Sequence, residues 1–438
     1  MKKKLAIIST FDDLCGIASY TRSIVRQLQD YYDITVFDLD QVIFKSKSKR
    51  VSELAEKEVY RICQNLPNFD AVNIQLEHGT LGNTPAQIKK RLFKFFQSAN
   101  KLTVTFHTII HSEKVTENFF PFLLKGKVKQ AYTRLKQNSR DNQLGTPLYA
   151  MLKKLQKQKP VSIICHTRRD ARALEMLYGL ENVYHHPLAY YSSDEAKIIR
   201  SETSLSKNFP LLEKNVMKND VLLGCFGFLG AYKGLGTAIH ALKLLPSNYK
   251  LAVFGGVHPN AIQKNELINP YLDGVLKSLH AGEKAFSPTV SDSINGVQLN
   301  LNSIEELKQV INLESQEDLS QRVFFMGSLT DDMFPKAMAV CDIVLLPYVE
   351  VGQSASGPMS MAVDMGSNII ASRTKAFMQF ARYYPNRFEM FDVGNYLQLS
   401  QQISSFNINY LENTEEKYNY SVASNVETYK KALFWENT

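Results

Sequence analysis

The sequence of 438 residues has no apolar run near the roughly 18 to 20 residues that a membrane-spanning helix requires, so none is expected. The start, Met1-Lys-Lys-Lys before Leu5–Ile8, has the outline of a signal peptide, but its apolar run is short and Asp12 and Asp13 follow at once, so export is not expected. Cysteine is scarce: Cys15, Cys63, Cys165, Cys225 and Cys341 lie far apart with no CxxC pair, and they are read as reduced, mostly buried thiols rather than a metal or redox site. Neither Pro (15) nor Gly (21) is abundant enough for disorder or repeats. No carboxylate pair stands where general acid and base would be needed. Asp38-Leu-Asp40 follows a strand of the first half and reads as a loop, so no essential metal and no other cofactor are expected.

What is present is an ordinary globular composition, 44% hydrophobic and 21% charged, in a chain long enough for two cores. The formal charge of +8 is uneven. Glu113 to Lys159 holds eleven Lys/Arg against Glu113, Glu117 and Asp141, as much excess charge as the whole chain. Apolar and aromatic residues alternate with lysines there, in Phe119-Phe-Pro-Phe-Leu-Leu124 and Leu148–Leu155. Such a stretch suits peripheral contact with an anionic membrane through 113–160, or a pair of solvated amphipathic helices. No nucleic-acid-binding motif accompanies the charge.

Short continuous apolar runs, the mark of parallel strands covered on both faces, recur in two series. The first comprises Leu5–Ser9, Ile34–Phe37, Ala71–Gln75, Leu102–Phe106 and Val161–Cys165, with a helix predicted over Gly16–Leu28. The second opens at Val221–Phe226 and continues with Lys250–Phe254, Val323–Met326, Ile343–Leu346 and Asn368–Ala371. The expected organisation is α/β: a Rossmann-like domain at 1–192, a linker at 193–218, a second Rossmann-like domain at 219–412 and a terminal amphipathic helix within 413–438. Pro259 to Leu319 reads as an insertion with a helix near Ile304–Leu313.

In such sheets ligands bind beyond the carboxyl ends of the strands. Gly227-Phe-Leu-Gly-Ala-Tyr-Lys-Gly234 follows the first strand of the second series and leads into a helix. Gly230, the helix N-terminus and Lys233 can hold a diphosphate, although a lysine there can equally be solvated. Glu350, Gln353, Ser354, Ser356 and Gly357 lie in a second strand-to-helix loop. They offer small hydroxyls and backbone donors to the same phosphates, while Ser356 can equally be a helix cap. In the first half His78, His107 and His166 follow successive strands, where each can be structural or functional. Glu77 and His78 are neighbours whose side chains diverge on an extended segment.

Strand, Gly-x5-Lys-Gly, Gly327-Ser-Leu, the Ser-x-Ser-Gly loop and Gly366, taken in that order, resemble the donor domain of retaining glycosyltransferases of GT-B architecture, the group 1 or family 4 type. Gly16-Ile-Ala-Ser-Tyr-Thr, Gln75-Leu-Glu-His-Gly79 and Phe106-His107-Thr108 are similar to that family's first-domain loops. Outside 113–160 and 259–319 the whole chain is covered. The resemblance implies two Rossmann-like domains facing a central cleft, with a terminal helix crossing back to the first. It implies transfer, with retention, from a nucleoside-diphosphate sugar to a hydroxyl of a glycan, a lipid-linked glycan or a protein, in the cytoplasm or at the inner face of its membrane. Lys233 would hold the leaving diphosphate and His107 would touch the transferred sugar, the two catalytic assignments. Gly16, Gly230 and the 350–357 loop would contact the donor, Gly327, Ser328 and Leu329 would line the base pocket, and Glu77, His78 and His166 would face the acceptor. The chain departs from the pattern at Phe228, where relatives carry Arg, and at Gln353 and Met361, where many carry Glu. These departures leave a non-catalytic subunit that binds a glycan or protein partner as the alternative; a sugar-nucleotide epimerase would need acid and base carboxylates that cannot be placed.

Overall fold

The computed structural model describes residues 2–111, 116, 119–257, 269–279, 318–352, 354–408 and 419–434. The chain divides into two units, Met1–Tyr190 with Asn419–Thr438, and Tyr191–Gly352 with Pro358–Tyr418; the short 353–357 stretch groups with the first.

Unit 1 is built on six parallel strands: β1 (Lys3–Ser9), β2 (Tyr32–Asp38), β3 (Ala71–Leu76), β4 (Leu102–Phe106), β5 (Val161–Cys165) and β6 (Val183–His185), in the order β2-β1-β3-β4-β5-β6. Every residue of β3, β4 and β5 is buried, as expected for strands covered on both faces. On one face, helices such as Lys49–Asn65 and Pro85–Ser98 bury Val59, Ile62, Ile88 and Phe95 against the aliphatic side of the sheet. Thr84 and Gln87 form a capping box that starts the second of these helices, with Pro85 in its first turn.

The other face is polar, and the terminal helix Val422–Leu433 satisfies it. The Tyr429 hydroxyl bonds Gln75 and Thr105, the Ala432 carbonyl accepts from Thr103 and Ser162, and Asn425 donates to Gln27. These strand residues would each carry a desolvation penalty if left unpaired, so the helix is a structural part of unit 1.

Unit 2 repeats the plan with β7 (Val221–Phe226), β8 (Tyr249–Phe254), β9 (Val323–Gly327), β10 (Ile343–Leu346), β11 (Ile369–Ser372) and β12 (Glu389–Phe391), in the order β12-β11-β10-β7-β8-β9. Each unit is thus a Rossmann-like domain, as expected from the sequence. The short strands β6 and β12 were not among those expected; at three residues each, they carry too little periodicity to stand out.

Residues 193–218, expected as linker, instead fold as helices Ser193–Glu202, Leu205–Asn208 and Pro210–Asn215 within unit 2. Ser192 and Glu195 form a capping box, Leu212 is fully buried and Phe209 packs edge-on to Phe254. Polar composition hid this packing because only one side of each short helix is apolar. The helix expected near Ile304–Leu313 lies outside the described residues, while Pro270–Lys277 is a helix.

In each sheet the chain runs outward in both directions from a strand near the middle, which creates a switch point at the carboxyl edge: between β1 and β3 in unit 1, and between β7 and β10 in unit 2. Loops on either side of such a point part from each other, and ligands bind there in open α/β sheets.

Candidate functional site

At the unit 2 switch point the two loops are fixed to one another through close backbone approaches. Gly234 ends the Lys233 turn at φ +65°, and a Cβ there would lie 1.8 Å from the Pro347 carbonyl oxygen, so only glycine fits. The Val349 amide donates to the Tyr232 carbonyl (2.9 Å) and closes the same junction. Gly227, at φ +107°, leaves room for the end of the Lys233 side chain, whose Nζ would stand 2.8 Å from an added Cβ.

Lys233 is thereby turned back into the loop. Its ammonium hydrogen-bonds the Tyr348 hydroxyl and sits 4.0 Å from the centre of the Tyr348 ring and 5.0 Å from that of Tyr232. Among the described residues it has no carboxylate partner. The side chain keeps some exposed surface, but its charged end is enclosed, and desolvation lowers its pKa to about 7. Burial also pushes the neighbouring Cys225 thiol up to about 12, so it is a neutral wall. Lys233, Tyr348 and Cys225 line a small pocket together with Phe226, Leu229 and Pro347. Chemically this is a place for an anion: a charged donor without a counter-charge, on a glycine loop that leads into helix Leu235–Lys243.

The other expected donor residues are placed as follows. Gly230 shapes the turn, accepting from the Lys233 amide (2.9 Å), and Phe228 lines the pocket. Glu350 engages both carboxylate oxygens within unit 2, accepting from the Gly352 amide (3.0 Å) and from the Lys375 amide at the start of a helix (2.7 Å). Ser354 is half-buried, Ser356 is buried, and Gly357 begins helix Gly357–Asp364; Gln353 lies outside the described residues. Met361 is a core residue of that helix. Gly327 ends β9, two strands from β7, with Ser328 and Leu329 just beyond it, and none of the three is a wall of the Lys233 pocket; Ser328 packs on Gly256 instead. Tyr348 is not among the residues that the sequence motifs single out. Its position directly after β10, across from Lys233, was the available signal.

In unit 1, Gly16 opens helix Gly16–Leu28 after β1 and is exposed, with open space where a Cβ would stand. Across the switch point, the Glu77 carboxylate accepts from the Thr108 hydroxyl (2.8 Å). The three histidines do follow adjacent strands, but they differ in what they have left to offer. Asn73 donates to the Thr103 carbonyl, so its oxygen accepts from the Gln75 amide nitrogen (2.7 Å), and the Gln75 oxygen then accepts from His107 Nε2 (2.9 Å). His107 Nδ1 is in turn paired with His166 Nε2 (3.2 Å). Both ring nitrogens of His107 are thus paired within unit 1 in this structure. His166 Nδ1 faces the His186 carbonyl, and burial holds the ring's pKa down to about 4.

His78 is different: it is buried, and neither ring nitrogen has a hydrogen-bond partner among the described residues. Desolvation and the nearby Arg140 charge lower it to about 4, so it is neutral at pH 7. Asp38 accepts from the Phe11 amide and Asp40 caps a short helix through the Val42 amide, the structural roles expected of that pair. Among the described residues no cluster of three or more His, Cys, Asp or Glu is arranged to hold a metal ion, and no helix is long and apolar enough to cross a membrane.

No family sequence model matches the chain, and no curated protein matches it by sequence. Solved structures do match over its full length. An Anabaena HepE structure in complex with UDP is 15% identical with a TM-score of 0.53, covering 99% of this chain and 96% of that one. A glycosyltransferase from Rickettsia africae is 14% identical with a TM-score of 0.56, covering all of both chains. A UDP-forming α,α-trehalose-phosphate synthase from Burkholderia vietnamiensis is 9% identical with a TM-score of 0.58, covering 98% of each. The class that fold and comparisons define together is that of the GT-B glycosyltransferase fold.

Proposed function

We propose that the chain is a retaining glycosyltransferase that moves a sugar from a nucleoside-diphosphate sugar to a hydroxyl of a glycan, lipid-linked glycan or protein acceptor. The observation that carries this reading is the Lys233 ammonium, enclosed by Tyr232 and Tyr348 at the unit 2 switch point with no carboxylate among the described residues to neutralise it. A diphosphate would supply the missing counter-charge. As the sugar–phosphate bond breaks, negative charge grows on the leaving oxygen, and a fixed cation beside it stabilises that charge without reorganisation. The N-terminus of helix Leu235–Lys243 adds a partial positive charge in the same direction. In this reading the leaving phosphate takes the acceptor proton on the same face of the sugar, and no protein carboxylate is needed. Uridine diphosphate sugars are the first donors to test, since the HepE structure holds UDP. Peripheral membrane contact through 113–160 belongs to the same reading.

The test is a thermal-shift panel of nucleoside diphosphates and nucleotide sugars on the parent chain and on Lys233→Ala. A ligand that binds only the folded state raises the melting temperature, so a base-selective shift that Lys233→Ala loses supports the donor site. No shift with any nucleotide would overturn the transferase reading. Binding without turnover over a broad acceptor set would favour the non-catalytic subunit, for which Phe228 in the pocket wall already speaks.

A further inference from the structure

In unit 1, large apolar side chains stand in solvent together at one place. Phe120, Leu123, Leu124, Val128 and Tyr132 fall within thirteen consecutive residues, with Leu124 88% and Tyr132 65% exposed. Their arrangement is a built corner. Helix Phe119–Leu124 ends at Gly126, which takes φ +68° and donates to the Leu123 carbonyl, while Lys127 donates to the Phe122 carbonyl. This closure satisfies the last carbonyls and turns the chain at once into helix Val128–Gln156. In the first turns of that helix Ala131 is fully buried, so Val128 and Tyr132, four residues apart, share the outward side.

Charge of one sign surrounds this corner. Between Phe119 and Arg140 the sequence holds Lys125, Lys127, Lys129, Arg134, Lys136 and Arg140 and no acidic residue. All three lysines of the turn are exposed. A second copy of the chain would bring two such cationic patches together, and a neutral apolar partner would leave the cations without counter-charge. The combination fits a surface with an acyl interior beneath a layer of phosphates.

We propose that the 119–136 corner docks on an anionic lipid membrane, with Phe120, Leu124 and Val128 entering the headgroup boundary and Lys125, Lys127 and Lys129 at the level of the phosphates. Resting on the transferase reading, this assigns the acceptor to the lipid-linked class. The docking itself does not depend on that reading.

The experiment is co-sedimentation of the full chain with vesicles of phosphatidylcholine alone and of phosphatidylcholine with about one-third phosphatidylserine, in about 0.1 M salt. Binding is expected on the anionic vesicles only. A Lys125→Gln, Lys127→Gln, Lys129→Gln triple variant is expected to bind on the order of 10²-fold more weakly, from about 1 kcal/mol per cation near the surface. A Phe120→Ser, Leu124→Ser, Val128→Ser variant is expected to lose vesicle binding. Both should keep the parent's nucleotide-dependent thermal shift, which shows that they fold and separates this proposal from the donor site. Failure of the parent to bind anionic vesicles, equal binding to neutral ones, unchanged binding by both variants, or self-association in place of lipid binding would each overturn it.

Discussion

The two switch points are alike in topology and opposite in chemistry. In unit 2 a cation is enclosed with no counter-charge among the described residues, whereas in unit 1 His107 and His166 are tied into a chain of hydrogen bonds running from Asn73 through Gln75. A polar group at a strand end is ready for a ligand only when its bonding capacity is not already used. By that measure Lys233 and His78 have capacity left among the described residues, while both ring nitrogens of His107 are paired in this structure.

The largest test of this contrast is Lys233→Ala. It should lower kcat/KM by about 10²- to 10³-fold, the scale for one preorganised charge-stabilising donor, with little loss of melting temperature. Steady-state kinetics beside a thermal melt reads both numbers. If the melt falls as far as the activity, Lys233 is structural and the contrast fails.

Gly234→Ala should cost about 3 kcal/mol or more of stability, because its Cβ meets the Pro347 carbonyl at 1.8 Å in a left-handed turn. Denaturant unfolding measures it.

In unit 1 the signs separate two histidine sites. Gln75→Leu leaves the buried His107 Nε2 without its partner and should destabilise by about 2 kcal/mol. His78→Leu removes a buried group that has no partner and should be neutral or stabilising by about 1 kcal/mol in the free chain, while lowering activity. A stability loss at His78 as large as that at Gln75 would erase the distinction.

The same contrast appears in pH. Lys233 titrates near 7 in the fold and near its ordinary, higher value when unfolded, so between these the unfolded chain holds the extra proton. This term makes stability rise with pH above 7, and below 7 the charged lysine is a full cost. A bound diphosphate reverses the preference by favouring the ammonium. Nucleotide affinity should therefore weaken by up to about tenfold per pH unit above 7 in the parent and stay flat in Lys233→Ala, as calorimetry in buffers of different ionisation enthalpy can show. His78 and His166, lowered to about 4, act at the other end: the unfolded chain gains their protons as pH falls below the ordinary histidine value, so stability drops toward pH 4.

The smallest expected effect is a gain. Phe228→Arg places a second cation at the pocket wall and should tighten diphosphate binding by several-fold, about 1 kcal/mol, without a change in fold.

Both Rossmann-like domains were legible in the sequence because parallel strands buried on both faces read as continuous apolar runs, a signal that needs no distant partner. The loops after β7 and β10 were legible too, since glycines at positive φ and a lysine at a strand end are local features. Tertiary structure decided the rest. Asn73, Gln75, Thr103 and Ser162 are ordinary polar residues in sequence. Only the arrival of Tyr429 and Ala432, some three hundred residues further on, makes them a satisfied face, and only the resulting order of hydrogen bonds leaves His107 occupied and His78 unpaired. The sequence by itself determined where strands end and which loops carry anion-binding residues, because backbone conformation is a short-range property. Which of those side chains retained capacity for a ligand was settled by folding, because a hydrogen bond is used up by whichever neighbour the chain brings to it.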